Sequence, residues 1–88
     1  MKILTHKTFD KHFRKRILSN PKLVTRFEER VAIFTEDPQN PLLKDHPLTG
    51  SQTGHRAFWI TGDIRVVYEP VDEDTVNFLD IGTHNQVY

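Results

Sequence analysis

Cysteine is absent from the 88 residues, which excludes disulfides and thiolate metal sites and fits a reducing compartment. No apolar run approaches the ~20 residues that a bilayer span needs. The opening Met1-Lys2-Ile3-Leu4-Thr5-His6 also lacks the long apolar core of a secretion signal. A cytoplasmic protein with no membrane contact is the expectation. An excess of one charge is missing too: 12 basic and 12 acidic residues cancel, so no global field draws the chain toward nucleic acid or anionic lipid. Neither a glycine-rich phosphate loop, a serine nucleophile elbow nor metal-ligand spacing is present. Any chemistry is therefore left to histidine, arginine, carboxylate and tyrosine, with no metal or cofactor expected.

Within those limits, 88 residues of which 36% are hydrophobic make one small domain, residues 1–88, burying roughly 60–65% of its unfolded surface. Lys2 to Thr5 reads as a short strand, and Thr8 as the N-cap of a helix running to about Ser19. Phe9, Phe13 and Ile17 recur along one stripe of it, opposite a basic face that includes Lys11, Arg14 and Lys15. That face is either solvated or phosphate-binding. Asn20-Pro21 suits the start of a second helix, whose apolar positions Val24, Phe27, Val31 and Phe34 carry it to about Glu36 before Pro38 stops it. Two helices so closely joined form a hairpin. The stretch Asp37 to Gly54 is rich in proline and glycine, and its Leu42, Leu43 and Leu48 predict a long loop packed onto the domain.

Three strands are expected next, at about His55 to Thr61, Asp63 to Glu69 and Thr75 to Ile81. Thr61-Gly62-Asp63 and Pro70-Val71-Asp72-Glu73-Asp74 supply the turns of an antiparallel meander. The fold class is α+β, a helical hairpin packed on one face of the sheet. Alternation along the middle strand puts Ile64, Val66 and Tyr68 on one face and Asp63, Arg65, Val67 and Glu69 on the other. Arg65 thus emerges from a β-branched run. A guanidinium keeps its charge, so it must reach solvent or a ligand, or pair with Glu69, Asp80 or another carboxylate.

Histidine, arginine and tyrosine suit RNA cleavage. A base removes the proton of a 2′-hydroxyl, which attacks the neighbouring phosphate; a cation steadies the phosphorane and an acid protonates the leaving 5′-oxygen. His46 and His84 are candidates for the proton roles, Arg65 for the phosphate, and Tyr88 for stacking on a base. Each has a structural alternative. His46, extended by Pro47, can tie the loop to the sheet; His84 can be a turn residue, Asp63 a strand start, Tyr88 a packing group. His55 and Arg56 open the strand beside that of Arg65 and are near enough to contribute.

Taken in order, Lys44-Asp45-His46-Pro47-Leu48-Thr49-Gly50-Ser51, Gly54-His55-Arg56, Asp63-Ile64-Arg65-Val66-Val67-Tyr68, Ile81-Gly82-Thr83-His84 and Val87-Tyr88 resemble the RelE/ParE superfamily of bacterial toxins, nearest its YafQ-like and RelE/StbE-type members. The resemblance is motif by motif in the second half of the chain and architectural in the first. It implies a RelE-like fold and a type II toxin–antitoxin toxin. Such a toxin is an mRNA interferase that cuts the message in the ribosomal A site and is neutralised by a cognate antitoxin. By position, His46 and His84 match proton-transfer histidines, Asp63 the catalytic aspartate, Arg65 the arginine on the scissile phosphate and Tyr88 a terminal aromatic. Trp59 stands where YafQ-type toxins have a further histidine, offering a stacking surface instead. A non-enzymatic gyrase-binding relative of ParE, or an inactive relative that only binds its antitoxin, is the alternative on the same scaffold.

Overall fold

The computed structural model describes residues 1–88. Strand β1 (Lys2–Thr5) leads into helices α1 (Lys7–Arg16) and α2 (Pro21–Glu36), followed by strands β2 (His46–Pro47), β3 (Arg56–Trp59), β4 (Ile64–Asp72) and β5 (Thr75–Thr83) and a terminal turn of helix, α3 (His84–Val87). One sheet joins the strands in the order β1-β5-β4-β3-β2. The meander β3-β4-β5 is antiparallel as expected, and β2 extends it in the same sense. β1 adds to the other edge by pairing parallel to β5, Ile3 opposite Val76. A parallel neighbour requires a crossover, and the long connection through the helices and the meander provides it.

Helix α1 begins earlier than the Thr8 cap predicts. His6 is the N-cap, its Nδ1 accepting the Thr8 N–H at 3.0 Å, and the helix ends at Arg16 rather than near Ser19. Asn20 caps α2 as expected, its side chain accepting from Lys22 and Leu23 with Pro21 in the first turn. Both helices lie on the sheet face that carries Phe58, Ile64, Val66, Tyr68, Phe78 and Ile81, where Phe9, Ile17 and Phe34 complete the buried core. Phe34 stacks on Phe58 at 4.4 Å between ring centres, and Phe27 joins α2 to Phe13 of α1 at 4.9 Å. Burying each such ring is worth about 1.5–3 kcal/mol, so this face supplies most of the hydrophobic stabilisation.

The loop from Asp37 to Gly54 is packed, as expected, through 3₁₀ turns at Pro41–Leu43 and Gly50–Gln52 and the short β2. Leu43 is fully buried and Leu48 packs on Ala57 and Val67, whereas Leu42 stays 56% exposed. Strand β4 runs through Pro70 to Asp72, further than predicted. Its neighbour β3 has ended by then, so the N–H that Pro70 lacks has no ladder to serve.

Candidate active site

The face of the sheet opposite α1 and α2 is largely open. Residues paired across antiparallel strands share a face, and the registers His46↔Ala57, Trp59↔Arg65 and Ala57↔Val67 place His46, Trp59 and Arg65 together on this side. A second, smaller cluster of Ala57, Val67 and Val87, flanked by Leu48 and Leu79, fills its centre. Val87 belongs to α3, so this cluster folds the terminal turn back over the open face and brings His84 and Tyr88 to it. Gln52 fixes that turn by donating from Nε2 to the Val87 carbonyl at 3.0 Å. His84 and Tyr88 meet edge to face, ring centres 4.6 Å apart.

Arg65 is only 9% exposed, more enclosed than its expected reach to solvent. Its Nη1 donates to the carbonyls of Thr61 at 3.2 Å and Gly62 at 3.0 Å, and its guanidinium lies 4.0 Å from the centre of the Trp59 ring. The cross-strand pairing with Glu69 or Asp80 does not form: Glu69 contacts His55 at 3.7 Å, and Asp80 takes His12 at 2.6 Å and Arg16 at 3.6 Å. Arg65 is therefore a buried cation met by dipoles and an aromatic face, with no carboxylate. Unpaired charge in such a setting is costly and favours an incoming anion. The same charge acts on the Tyr88 hydroxyl. Burial raises the Tyr88 pKa, Arg65 opposes it, and the net direction is upward, so the phenol keeps its proton at neutral pH.

His46 sits about two strands over and two residues along from Arg65, a backbone separation of ~12 Å from strand spacing and rise. Its Nδ1 lies 2.9 Å from the Lys44 carbonyl, which leaves Nε2 for a ligand. The preceding residue holds the loop: Asp45, its side chain 6% exposed, accepts from Arg56 Nε at 2.7 Å and from the Tyr68 hydroxyl at 2.5 Å. Lys44 is the one non-glycine residue with positive φ, at 48°, and its ammonium stands 5.4 Å from the Trp59 ring centre.

Not every residue singled out in the sequence joins this face. Arg56 pairs in register with Tyr68 and turns toward the helices, where Asp45 engages it, so it is a structural cation rather than part of the open face. His55 lies toward the far end of the face from Arg65 and contacts Glu69. Lys11, Arg14 and Lys15 are exposed on α1, across the sheet from Arg65. Asp63 is exposed in the β3–β4 turn; its backbone N–H donates to Thr61 Oγ1, and its carboxylate binds no other side chain. No group of three or more His, Cys, Asp or Glu is gathered in a way that could hold a metal ion, and no helix is long and apolar enough to cross a membrane. Missed by sequence reasoning were Lys44, Arg26 and Arg30, which gather beside Trp59. Only their side-by-side spacing on α2 gave a signal for the two arginines.

Comparison with known proteins bears on this geometry. The family model described as the bacterial toxin of type II toxin–antitoxin systems, YafQ, matches residues 1–88. Sequence comparison with curated proteins finds no match. Among solved structures the chain is similar to YafQ from E. coli strain BL21(DE3), with a TM-score of 0.82 at 19% identity over 99% of this chain and 97% of that one. In the E. coli DinJ–YafQ complex the corresponding figures are 0.69 and 23%, over 99% and 97%. The YoeB/ParE toxin from Agrobacterium tumefaciens gives 0.79 at 19% over 96% and 99%. A metal-bound toxin from Helicobacter pylori gives 0.73 at 30% over 100% and 99%.

Proposed function

Because the chain belongs to the YafQ family of bacterial toxins from type II toxin–antitoxin systems, within the RelE/ParE superfamily, we propose that it is a metal-independent endoribonuclease. It cuts mRNA in the ribosomal A site and is held in check by a cognate antitoxin. The observation that carries this reading is Arg65, a guanidinium enclosed without a carboxylate on the face of the sheet that also carries His46 and, through α3, the His84–Tyr88 pair.

In the proposed reaction one imidazole takes the proton of the 2′-hydroxyl, the oxygen attacks the adjacent phosphorus, and the bond to the 5′-oxygen breaks as the other imidazole delivers a proton to it. The products are a 2′,3′-cyclic phosphate and a 5′-hydroxyl. Arg65 leaves its carbonyl partners in part to face the equatorial oxygens, where its planar fork is matched to phosphate. Protonated Tyr88 orients the nucleotide by hydrogen bonding and stacking, and Trp59 adds a second aromatic surface. Asp63, free in its turn, orients or tunes a histidine once RNA is seated. The partner assignment follows the E. coli complex, in which YafQ is bound to DinJ.

Induced expression arrests bacterial growth in this account, and the His46→Ala, His84→Ala double variant, produced to the same level, relieves the arrest. Undiminished arrest by the double variant would favour a non-enzymatic, ParE-like mode of action.

A further inference from the structure

We propose that the cleft beside Trp59 is a second nucleotide subsite, shaped to hold the phosphate and base of single-stranded RNA adjoining the bond at Arg65. For the identity of that bond it rests on the nuclease reading above. Strand β2 pairs with β3 only at Arg56 and Ala57, so on the side away from β4 no strand flanks Trp59. There a cleft of about 260 Å³ opens between α2, the Pro41–Leu43 turn and the β3–β4 turn. Its lining includes Arg26, Arg30 and Lys44 and not one carboxylate. In a chain of zero net charge this is a local cationic surface that composition conceals.

No carboxylate of the cleft neutralises any of the three cations. Arg30 donates from Nη1 to the Leu42 carbonyl at 2.8 Å, which pins its guanidinium at the rim. Arg26, one turn earlier on the same side of α2, has only an exposed contact with Glu29 at 3.6 Å, a pairing too weak to compete with phosphate. Lys44 has no acidic partner at all. Its left-handed backbone, uncommon for a residue bearing a side chain, brings the ammonium over the indole. A half-buried indole with cations over its ring is a combination that binds a single strand, a base stacking where the flexible Lys44 chain swings aside and the cations following the backbone. Continuity with the proposed centre is direct, since Thr61 and Gly62, whose carbonyls hold Arg65, also line the cleft.

Trp59 is the single tryptophan, so its fluorescence reads occupancy without a label. The probe is a short 2′-O-methyl oligoribonucleotide, which cannot be cut by 2′-hydroxyl attack. Titration into the full chain should quench Trp59 saturably. Arg26→Glu with Lys44→Glu, both at exposed positions, should weaken binding at low salt by about tenfold or more and flatten the plot of log affinity against log salt by roughly 0.7 per lost phosphate contact. Absence of quenching, or wild-type affinity in a folded double variant, overturns the subsite, as does equal quenching by an acidic peptide of matched charge. A wild type that cuts message while the charge reversals leave binding unchanged removes the subsite alone. Binding as expected by a protein that cuts nothing removes the nuclease reading alone.

Discussion

Tyr68 and Arg56 between them satisfy the carboxylate of Asp45, at 2.5 Å and 2.7 Å, and Asp45 in turn fixes the backbone of Lys44 and His46. Removing one donor from a buried carboxylate leaves it short of a partner, so Tyr68→Phe should cost about 1–3 kcal/mol in urea denaturation at neutral pH. The same bond has a pH signature. Burial first, and Asp45 second, push the Tyr68 pKa well above its ordinary 10.0. A group whose folded pKa is raised favours the fold at full strength below the unfolded value, and the advantage is lost as pH rises beyond it. Wild-type stability should therefore decline above about pH 10, and the gap between wild type and Tyr68→Phe should narrow there. A gap that widens would contradict the assignment. Arg65 presents the opposite case, a cation whose only partners are carbonyls and a ring, and it is where the fold leaves an interaction open for a ligand.

At the scale of elements, the terminal turn α3 is the piece on which the site depends most. Its supports converge on Gly82. A Cβ there would stand 2.6 Å from both Arg16 Nη1 and Gln86 Oε1. Arg16 braces β5 by donating to the Ile81 carbonyl at 2.9 Å, and Gln86 Oε1 accepts from the Thr83 N–H at 2.8 Å to cap α3. Gly82→Ala should therefore displace both side chains and uncap the turn, at about 0.5–2 kcal/mol from the cap alone. His84 and Tyr88 would lose their placement, so message cleavage should fall by about tenfold or more, beyond what the melting shift explains. Equal cleavage by the variant would detach α3 from the chemistry. Much of this organisation was legible in the chain: alternation gave the two faces of β4, and Asn20-Pro21 gave the start of α2. The ordered motifs from Lys44 to Tyr88 pointed to the family. What was not legible depended on competition between local signals or on long-range placement. Thr8 resembles a cap, but His6 takes that place by accepting the N–H of Thr8 itself; Arg56 looked like a companion of Arg65 until register turned it to the other face; and Arg26, Arg30 and Lys44 come together only through folding.

Over the whole molecule, zero net charge hides a division of labour. Several acidic groups are held in pairs: Asp45 with Arg56, Asp80 with His12 and Arg16, Glu69 with His55, Asp74 with the N-terminus. Arg65 and Lys44 are left uncompensated, and both lie against Trp59. The helices and the larger core form a rigid backing on one side of the sheet, and His46, Arg65 and the terminal turn bearing His84 and Tyr88 lie on the other. Local rather than global charge is thus what recruits phosphate. The most direct test is cleavage of a 5′-labelled message on programmed ribosomes by wild type and by folded Arg65→Ala. The account predicts fragments ending in a 2′,3′-cyclic phosphate from wild type and a rate about 100-fold lower or less from the variant, the scale of losing a transition-state charge contact. An intact message with wild type, or an undiminished rate with Arg65→Ala, would contradict it.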